Sequence, residues 1–157
     1  MQSFDEYGLN QKILDSIKDL KFYNPTPIQD KVIPQVLSSN SDIIATAQTG
    51  TGKTAAFGLP IINLTINHNK NIEAVVLCPT RELCIQISKD LDEYSKNMEH
   101  YKVIPIYGGT KIETQIKSIR KISVFFNINS NSTYTYFAWF SILMFLFLFN
   151  SKEDILL

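Results

Sequence analysis

Cysteine is scarce in this sequence, and neither sign of charge is in excess. The two cysteines, Cys78 and Cys84, are too few for a disulfide framework. Lys+Arg and Asp+Glu both total 15, which excludes a basic tail or an acidic linker but is compatible with a local basic face. The N-terminus lacks a basic start followed by an apolar run. We therefore expect no secretory signal and a reducing, cytoplasmic setting.

Glycine, proline and charge are missing from the last part of the chain. All six glycines and all six prolines lie in residues 1–121, and no charged residue occurs from Ser123 to Ser151. A single ordinary globular domain does not combine a segment of normal composition with a long segment that lacks charge, glycine and proline. We therefore divide the chain into residues 1–30, residues 31–121 and an aberrant apolar tail, residues 122–157.

Three interpretations of residues 122–157 compete. The abrupt change in composition favours a frameshift, an intron read-through or a gene-model error. A membrane anchor in residues 134–149 is the second, although its apolar run is shorter than the roughly 20 residues that a span needs. A pair of core strands is the third, and we disfavour it because no Gly or Pro supplies a turn.

The first 121 residues predict alternating strands and helices. Short apolar runs at residues 42–45, 73–78 and 103–107 predict strands, and they are continuous runs rather than alternating ones. Such runs are typical of a parallel sheet covered by helices on both faces. One helix is predicted to begin near Asn10. Further helices are predicted at residues 29–37, 54–68, 81–94 and 111–121.

A glycine-rich segment separates the first predicted strand from a helix. In that setting glycines let backbone N–H groups turn towards a phosphate, and the helix N-terminus favours the negative charge. Lys53 would then reach the β- and γ-phosphates, and the Thr54 hydroxyl would bind Mg²⁺. The predicted phosphate-binding loop comprises Ala47, Gln48, Thr49, Gly50, Thr51, Gly52, Lys53 and Thr54.

Next to a phosphate-binding loop, three further segments become candidate parts of a nucleotide or nucleic-acid site. Residues 22–29 form a proline-stiffened segment whose aromatic face and Gln29 amide suit the face and edge of adenine. Residues 79–83 follow a predicted strand at the sheet edge where ligands bind, and their hydroxyl, guanidinium and helix-start amides suit a nucleic-acid phosphate. Gly108 and Gly109 follow the next strand in the same way.

Together these segments resemble the DEAD-box ATP-dependent RNA helicases of superfamily 2. Residues 22–29 match the family's Q motif, with Phe4 as its upstream aromatic, and residues 47–54 match A-x-T-G-x-G-K-T. Residues 79–84 match P-T-R-E-L-A except for Cys84, and Gly108-Gly109 matches the Gly-Gly element. Lys21 stands where the family usually has glycine. The resemblance covers residues 1–121, and the motif sequences are most similar to those of bacterial members.

The resemblance implies an incomplete RecA-like α/β domain, with the Q-motif region in residues 1–30 and the start of the ATP-binding domain in residues 31–121. It implies ATP and Mg²⁺ as cofactors, with Phe22 packing near adenine and Gln29 reading its edge. It also implies RNA as a partner, bound through its backbone with little sequence preference. The RNA-contacting residues would be Pro79, Thr80, Arg81, Gly108 and Gly109.

After Lys121 the family continues into a further strand and the T-P-G-R, D-E-A-D and S-A-T motifs, and we expect none of these here. The second helicase lobe with its arginine finger is also absent from the 157 residues. We therefore expect a fragment that neither hydrolyses ATP nor unwinds RNA. The alternatives are a non-enzymatic nucleotide or RNA binder and a protein tethered to membranes through residues 134–149.

Overall fold

The computed structural model describes residues 3–66, 74–99, 101–119 and 125–129, in which helices alternate with parallel strands. A 3₁₀ turn, Phe4–Tyr7, precedes the first helix. The helices are α1 (Gln11–Asp19), α2 (Pro27–Ser38), α3 (Lys53–Leu64), α4 (Arg81–Tyr94) and α5 (Ile112–Ile119), and the strands are β1 (Ala74–Cys78), β2 (Val103–Ile106) and β3 (Phe125–Asn129).

Local sequence signals account for the helix starts. The Asn10 side chain accepts a hydrogen bond from the Lys12 amide at the start of α1. Thr26 and Gln29 form a reciprocal capping box, with Pro27 in the first turn of α2. The predicted start of this helix at Gln29 was therefore two residues late. Thr80 caps α4 as predicted, since its hydroxyl oxygen accepts the Leu83 amide proton at 3.2 Å.

The described sheet has the strand order β1-β3-β2, and both neighbours of β3 run parallel to it. The predicted parallel arrangement is confirmed. The strand β3, however, lies in the segment that we assigned to the aberrant tail. Our expectation that the family's next strand is missing was wrong, because Val76 of β1 and Pro105 of β2 both pair with Asn127 of β3.

The strand predicted at residues 42–45 does not form. This segment runs without regular secondary structure into the glycine-rich loop, and Ile44 is 79% exposed. A strand is stable only when a neighbour satisfies its backbone hydrogen bonds. Among the described strands, none pairs with this segment.

A buried core joins the helices to the sheet. It contains Ile13 and Ile17 of α1, Leu59 of α3, and Ile87 and Leu91 of α4. Helix α4 packs against all three strands and against α3. This packing fixes the N-termini of α3 and α4, which carry the predicted phosphate and RNA sites.

Candidate nucleotide and RNA site

Two left-handed glycines shape the loop before α3. Gly50 and Gly52 have φ angles of 78° and 84°, a region that other residues occupy at a cost of roughly 1–2 kcal/mol. Lys53 begins α3, so the loop leads directly into a helix N-terminus with unpaired amide donors. The Lys53 ammonium donates to the Ala47 carbonyl at 2.6 Å and also to the Gln48 carbonyl.

The predicted adenine-side segment is bonded directly to this loop. Gln29 is 3% exposed, its Oε1 accepts the Thr26 amide proton at 2.9 Å, and its Nε2 donates to the Gly52 carbonyl at 3.0 Å. The Thr26 hydroxyl donates to the Thr51 carbonyl at 2.9 Å. The structure thus brings together two parts of the site that are more than twenty residues apart in the chain.

The loop residues fit a nucleotide phosphate. Space is open where a Cβ on Gly50 would lie, whereas a Cβ on Gly52 would overlap Nε2 of Gln29. Only glycine therefore lets the loop approach Gln29 while turning its backbone through the left-handed region. The cationic Lys53 and the amides at the start of α3 are the groups that bind phosphate.

A carboxylate that the sequence reasoning missed adjoins the predicted Mg²⁺ ligand. The Thr54 hydroxyl is hydrogen-bonded to the half-buried Asp90 of α4. Burial raises the pKa of the Asp90 carboxyl, while the hydrogen bond from Thr54 and the charge of Lys89 act in the opposite direction. The available signal was the position of Asp90 next to the apolar stripe of α4, which includes Ile87 and Leu91.

The aromatic residues of the Q-motif segment are placed differently from one another. Phe22 is half-buried, and its ring lies 6.0 Å from that of Tyr94, centroid to centroid, at an interplanar angle of 57°. Its neighbour Tyr23 is 68% exposed. The packing of Phe22 against adenine stays a prediction, and Tyr23 is an additional aromatic face that we did not single out from the sequence.

The predicted RNA-contacting residues also meet. The Arg81 guanidinium lies over the Tyr107 ring, 4.6 Å from its centroid. Gly109 has a φ of 89°, and a Cβ there would lie 3.5 Å from Nη1 of Arg81. Pro79, Thr80, Arg81, Gly108 and Gly109 are all exposed. Arg81 therefore connects the two segments at the carboxyl ends of β1 and β2.

Neither cysteine belongs to a metal cluster formed by the described residues. Cys78 and Cys84 are buried thiols, and burial raises the pKa of Cys84. Within the described part of the chain, no group of three His, Cys, Asp or Glu residues is placed to hold a metal ion.

Comparison with known proteins agrees with this geometry. The model of the DEAD/DEAH box helicase family matches residues 26–137. The ATP-dependent RNA helicase CshA of Listeria monocytogenes is 46% identical over 121 residues, which are 77% of this chain and 23% of that protein. A DEAD box protein from Methanococcus jannaschii superposes with a TM-score of 0.71 at 38% identity, covering 82% of this chain and 35% of the other.

A second similar structure contains RNA. The DEAD-box helicase Mss116, bound to single-stranded RNA and UDP-BeF, has a TM-score of 0.72 at 29% identity and covers 80% of this chain and 27% of its own. The chain belongs to the DEAD/DEAH box helicase family and has the RecA-like fold of its helicase domains. It spans about a quarter of the length of the curated relatives that it matches.

Proposed function

We propose that this chain binds ATP with Mg²⁺ and the backbone of RNA, and that it does not turn ATP over by itself. The observation that carries the nucleotide part is the pair of hydrogen bonds from Gln29 and Thr26 to the loop at Gly52 and Thr51. These bonds join an amide suited to adenine to a loop suited to phosphates.

Each loop residue has a defined role in this proposal. Backbone amides of Gly50 and Gly52 and the Lys53 ammonium would hold the phosphates, and the Thr54 hydroxyl would bind Mg²⁺. When bound, Mg²⁺ neutralises charge on the phosphate oxygens. The Lys53 ammonium must exchange the Ala47 and Gln48 carbonyls for phosphate oxygens when nucleotide binds.

RNA would bind along the surface formed by Thr80, Arg81 and Gly109. The Thr80 hydroxyl oxygen accepts the Leu83 amide, and its hydrogen can donate to a phosphate. The RNA in the Mss116 complex supports this partner for the family. Because the residues suit phosphates and 2′-hydroxyls rather than base edges, we expect little sequence preference.

The lack of turnover follows from missing groups. Phosphoryl transfer needs charge stabilisation and a positioned water, which D-E-A-D, S-A-T and an arginine finger supply in the family. None of these motifs occurs in the 157 residues.

The predicted cytoplasmic location is also part of this proposal. Among the described residues no helix is long and apolar enough to cross a membrane, and residues 134–149 lie outside them.

Isothermal titration of ATP with Mg²⁺, followed by a phosphate-release assay with and without RNA, tests the proposal. We expect saturable binding and no release of phosphate. Lys53→Ala should weaken binding about tenfold or more, because it removes charge-assisted hydrogen bonds worth about 1.5–3 kcal/mol. Lys12→Ala, on the exposed side of α1, is the matched control and should bind ATP normally. RNA-stimulated phosphate release, or equal affinities of the wild type and Lys53→Ala, would refute the proposal.

A further inference from the structure

One hydrogen-bonded turn connects α5 to the guanidinium of Arg81. The turn comprises residues 107–110 and follows β2. Gln115 of α5 binds both backbone groups of Tyr107, because its Oε1 accepts the Tyr107 amide proton at 3.1 Å and its Nε2 donates to the Tyr107 carbonyl at 3.2 Å. The same Nε2 donates to the Thr110 hydroxyl at 2.6 Å. A single side chain therefore closes the turn at both ends.

The turn places the Tyr107 ring under Arg81. The side chain of Thr110 also donates to the Tyr107 carbonyl, at 3.3 Å, so the backbone of Tyr107 has three side-chain hydrogen bonds, two with Gln115 and one with Thr110. Arg81 is exposed, and neither of the two salt bridges in the described residues involves it. Its guanidinium carbon lies over the ring face of Tyr107, 4.6 Å from the ring centroid. An exposed arginine with no such partner would sample many rotamers.

We propose that Tyr107 and Gln115 are positioning residues for RNA binding, because the Gln115-closed turn holds the Tyr107 ring under Arg81 and aims the guanidinium at an RNA phosphate. The inference rests on the proposed RNA-binding function. Stacking leaves the guanidinium edge, with its N–H donors, available for bidentate contact with a phosphate. Gly109 adjoins this edge and, having no side chain, keeps the approach open.

The test is a fluorescence-anisotropy titration of the whole chain with a 5′-fluorescein-labelled ten-nucleotide oligouridylate at several salt concentrations. Arg81→Gln should weaken binding and reduce the salt slope by about 0.7, the value for one phosphate contact on a single strand. Tyr107→Leu should weaken binding about two- to fivefold, the range for an exposed cation–π contact. Tyr107→Phe should retain wild-type affinity, because the ring face rather than the hydroxyl contacts Arg81.

A double-mutant cycle separates positioning from general stability. In the Arg81→Gln background, Tyr107→Leu and Gln115→Leu should cause no further loss, since the group that they position is gone. Ser118→Ala is the control and should leave RNA affinity unchanged, because the Ser118 hydroxyl donates to the Thr114 carbonyl within α5 and makes no bond to the turn. If Tyr107→Leu does not fold, Gln115→Leu tests the same positioning role independently.

The outcomes distinguish the inference from the proposed function. Losses from Tyr107→Leu or Gln115→Leu that persist at full size in the Arg81→Gln background would overturn the inference. Normal affinity of Tyr107→Leu alongside weakened binding by Arg81→Gln would also overturn it, and the RNA site would stand. A wild-type chain that does not bind the oligouridylate would refute the RNA-binding function and the inference with it.

Discussion

A few residues in unusual backbone conformations shape the candidate nucleotide site and the segment that precedes it. Lys21 is the one non-glycine residue with positive φ among those described, at 62°, immediately before the Q-motif segment. It occupies the position at which the family usually has glycine. The backbone turn is therefore kept in this chain, and the side chain adds strain to it.

Lys21→Gly should stabilise the protein by about 0.5–1 kcal/mol, because relief of the left-handed strain exceeds the added flexibility of the unfolded chain. The free energy of unfolding from urea denaturation is the measurement. The control is Lys89→Gly in the middle of α4, where the backbone is helical. This substitution should lower the free energy of unfolding by about 1 kcal/mol. A destabilised Lys21→Gly variant would show that the Lys21 side chain makes a compensating contact.

Gly50 and Gly52 provide a matched pair within the loop. Both have φ near 80°, but only at Gly52 would a Cβ overlap the Gln29 amide. Gly50→Ala should cost about 1–2 kcal/mol of stability from backbone strain alone. Gly52→Ala should cost about 1 kcal/mol more, since the hydrogen bond between Gln29 and Gly52 is lost, and it should abolish ATP binding. Equal losses of stability and of ATP affinity for the two variants would contradict the role given to Gln29.

Residue-level inference from the sequence was good for the position of the glycine-rich loop before α3 and weak for contacts between distant segments. The pattern of residues 47–54 located the loop, because its glycines and Lys53 have a local signature. The contact between Thr54 and Asp90 depends on how α3 packs against α4, which no local pattern encodes. The contrast between half-buried Phe22 and exposed Tyr23 depends on Tyr94, more than seventy residues away.

At the scale of elements, the contact between α3 and α4 fixes the start of α3, where the predicted phosphate-binding loop ends. Gly58 lies in the middle of α3, where a Cβ would be 2.5 Å from Cδ2 of Leu91. Leu91 is fully buried, so its side chain has little room to move. The close approach at Gly58 also brings Thr54, one turn earlier, next to Asp90.

Gly58→Ala should therefore destabilise the protein, although alanine is the better helix former by about 1 kcal/mol. Overpacking of the core costs typically about 1–3 kcal/mol and should prevail. Adding Leu91→Val should recover part of the loss, because the shorter side chain removes the overlap. Thermal unfolding of the three proteins checks this, and a Gly58→Ala variant more stable than the wild type would contradict the packing argument.

Elements with strong local signals were predicted well, including β1 and β2, which lie within the predicted residues 73–78 and 103–107. The errors concern β3, which was missed, and the strand predicted at residues 42–45, which does not form. Helix α4 has the predicted bounds, residues 81–94, because a capping threonine and an apolar stripe define it. The apolar run at residues 42–45 satisfied the same kind of rule and yet forms no strand. A strand depends on pairing with a neighbour, and its own sequence does not show whether one is present.

For the molecule as a whole, β3 is the element on which the described sheet depends. Strands β1 and β2 pair only through it within the described residues. Its position explains why Pro105 is tolerated in β2, which lies at the edge of this sheet, where a missing N–H donor is acceptable. Composition hid this strand, because its residues share the uncharged character of the segment that follows.

Asn127→Pro should cost about 3 kcal/mol or more, because a central strand uses its backbone groups on both sides. Asn127→Thr, which keeps the N–H donor and has a good β-propensity, should change stability by less than about 1 kcal/mol. Circular dichroism with chemical denaturation compares the two. If Asn127→Pro folds as well as the wild type, β3 does not join β1 to β2, and the division of the chain at residue 122 would regain support.

The central claim is that residues 22–29 and the loop before α3 form one site for an adenine nucleotide. Parallel titrations of the whole chain with ATP and with GTP, each with Mg²⁺, test it most directly. The bonds that place the Gln29 amide beside the loop predict tighter binding of ATP, since this amide matches the donor and acceptor edge of adenine. Equal affinities for the two nucleotides, or binding of neither, would contradict the claim.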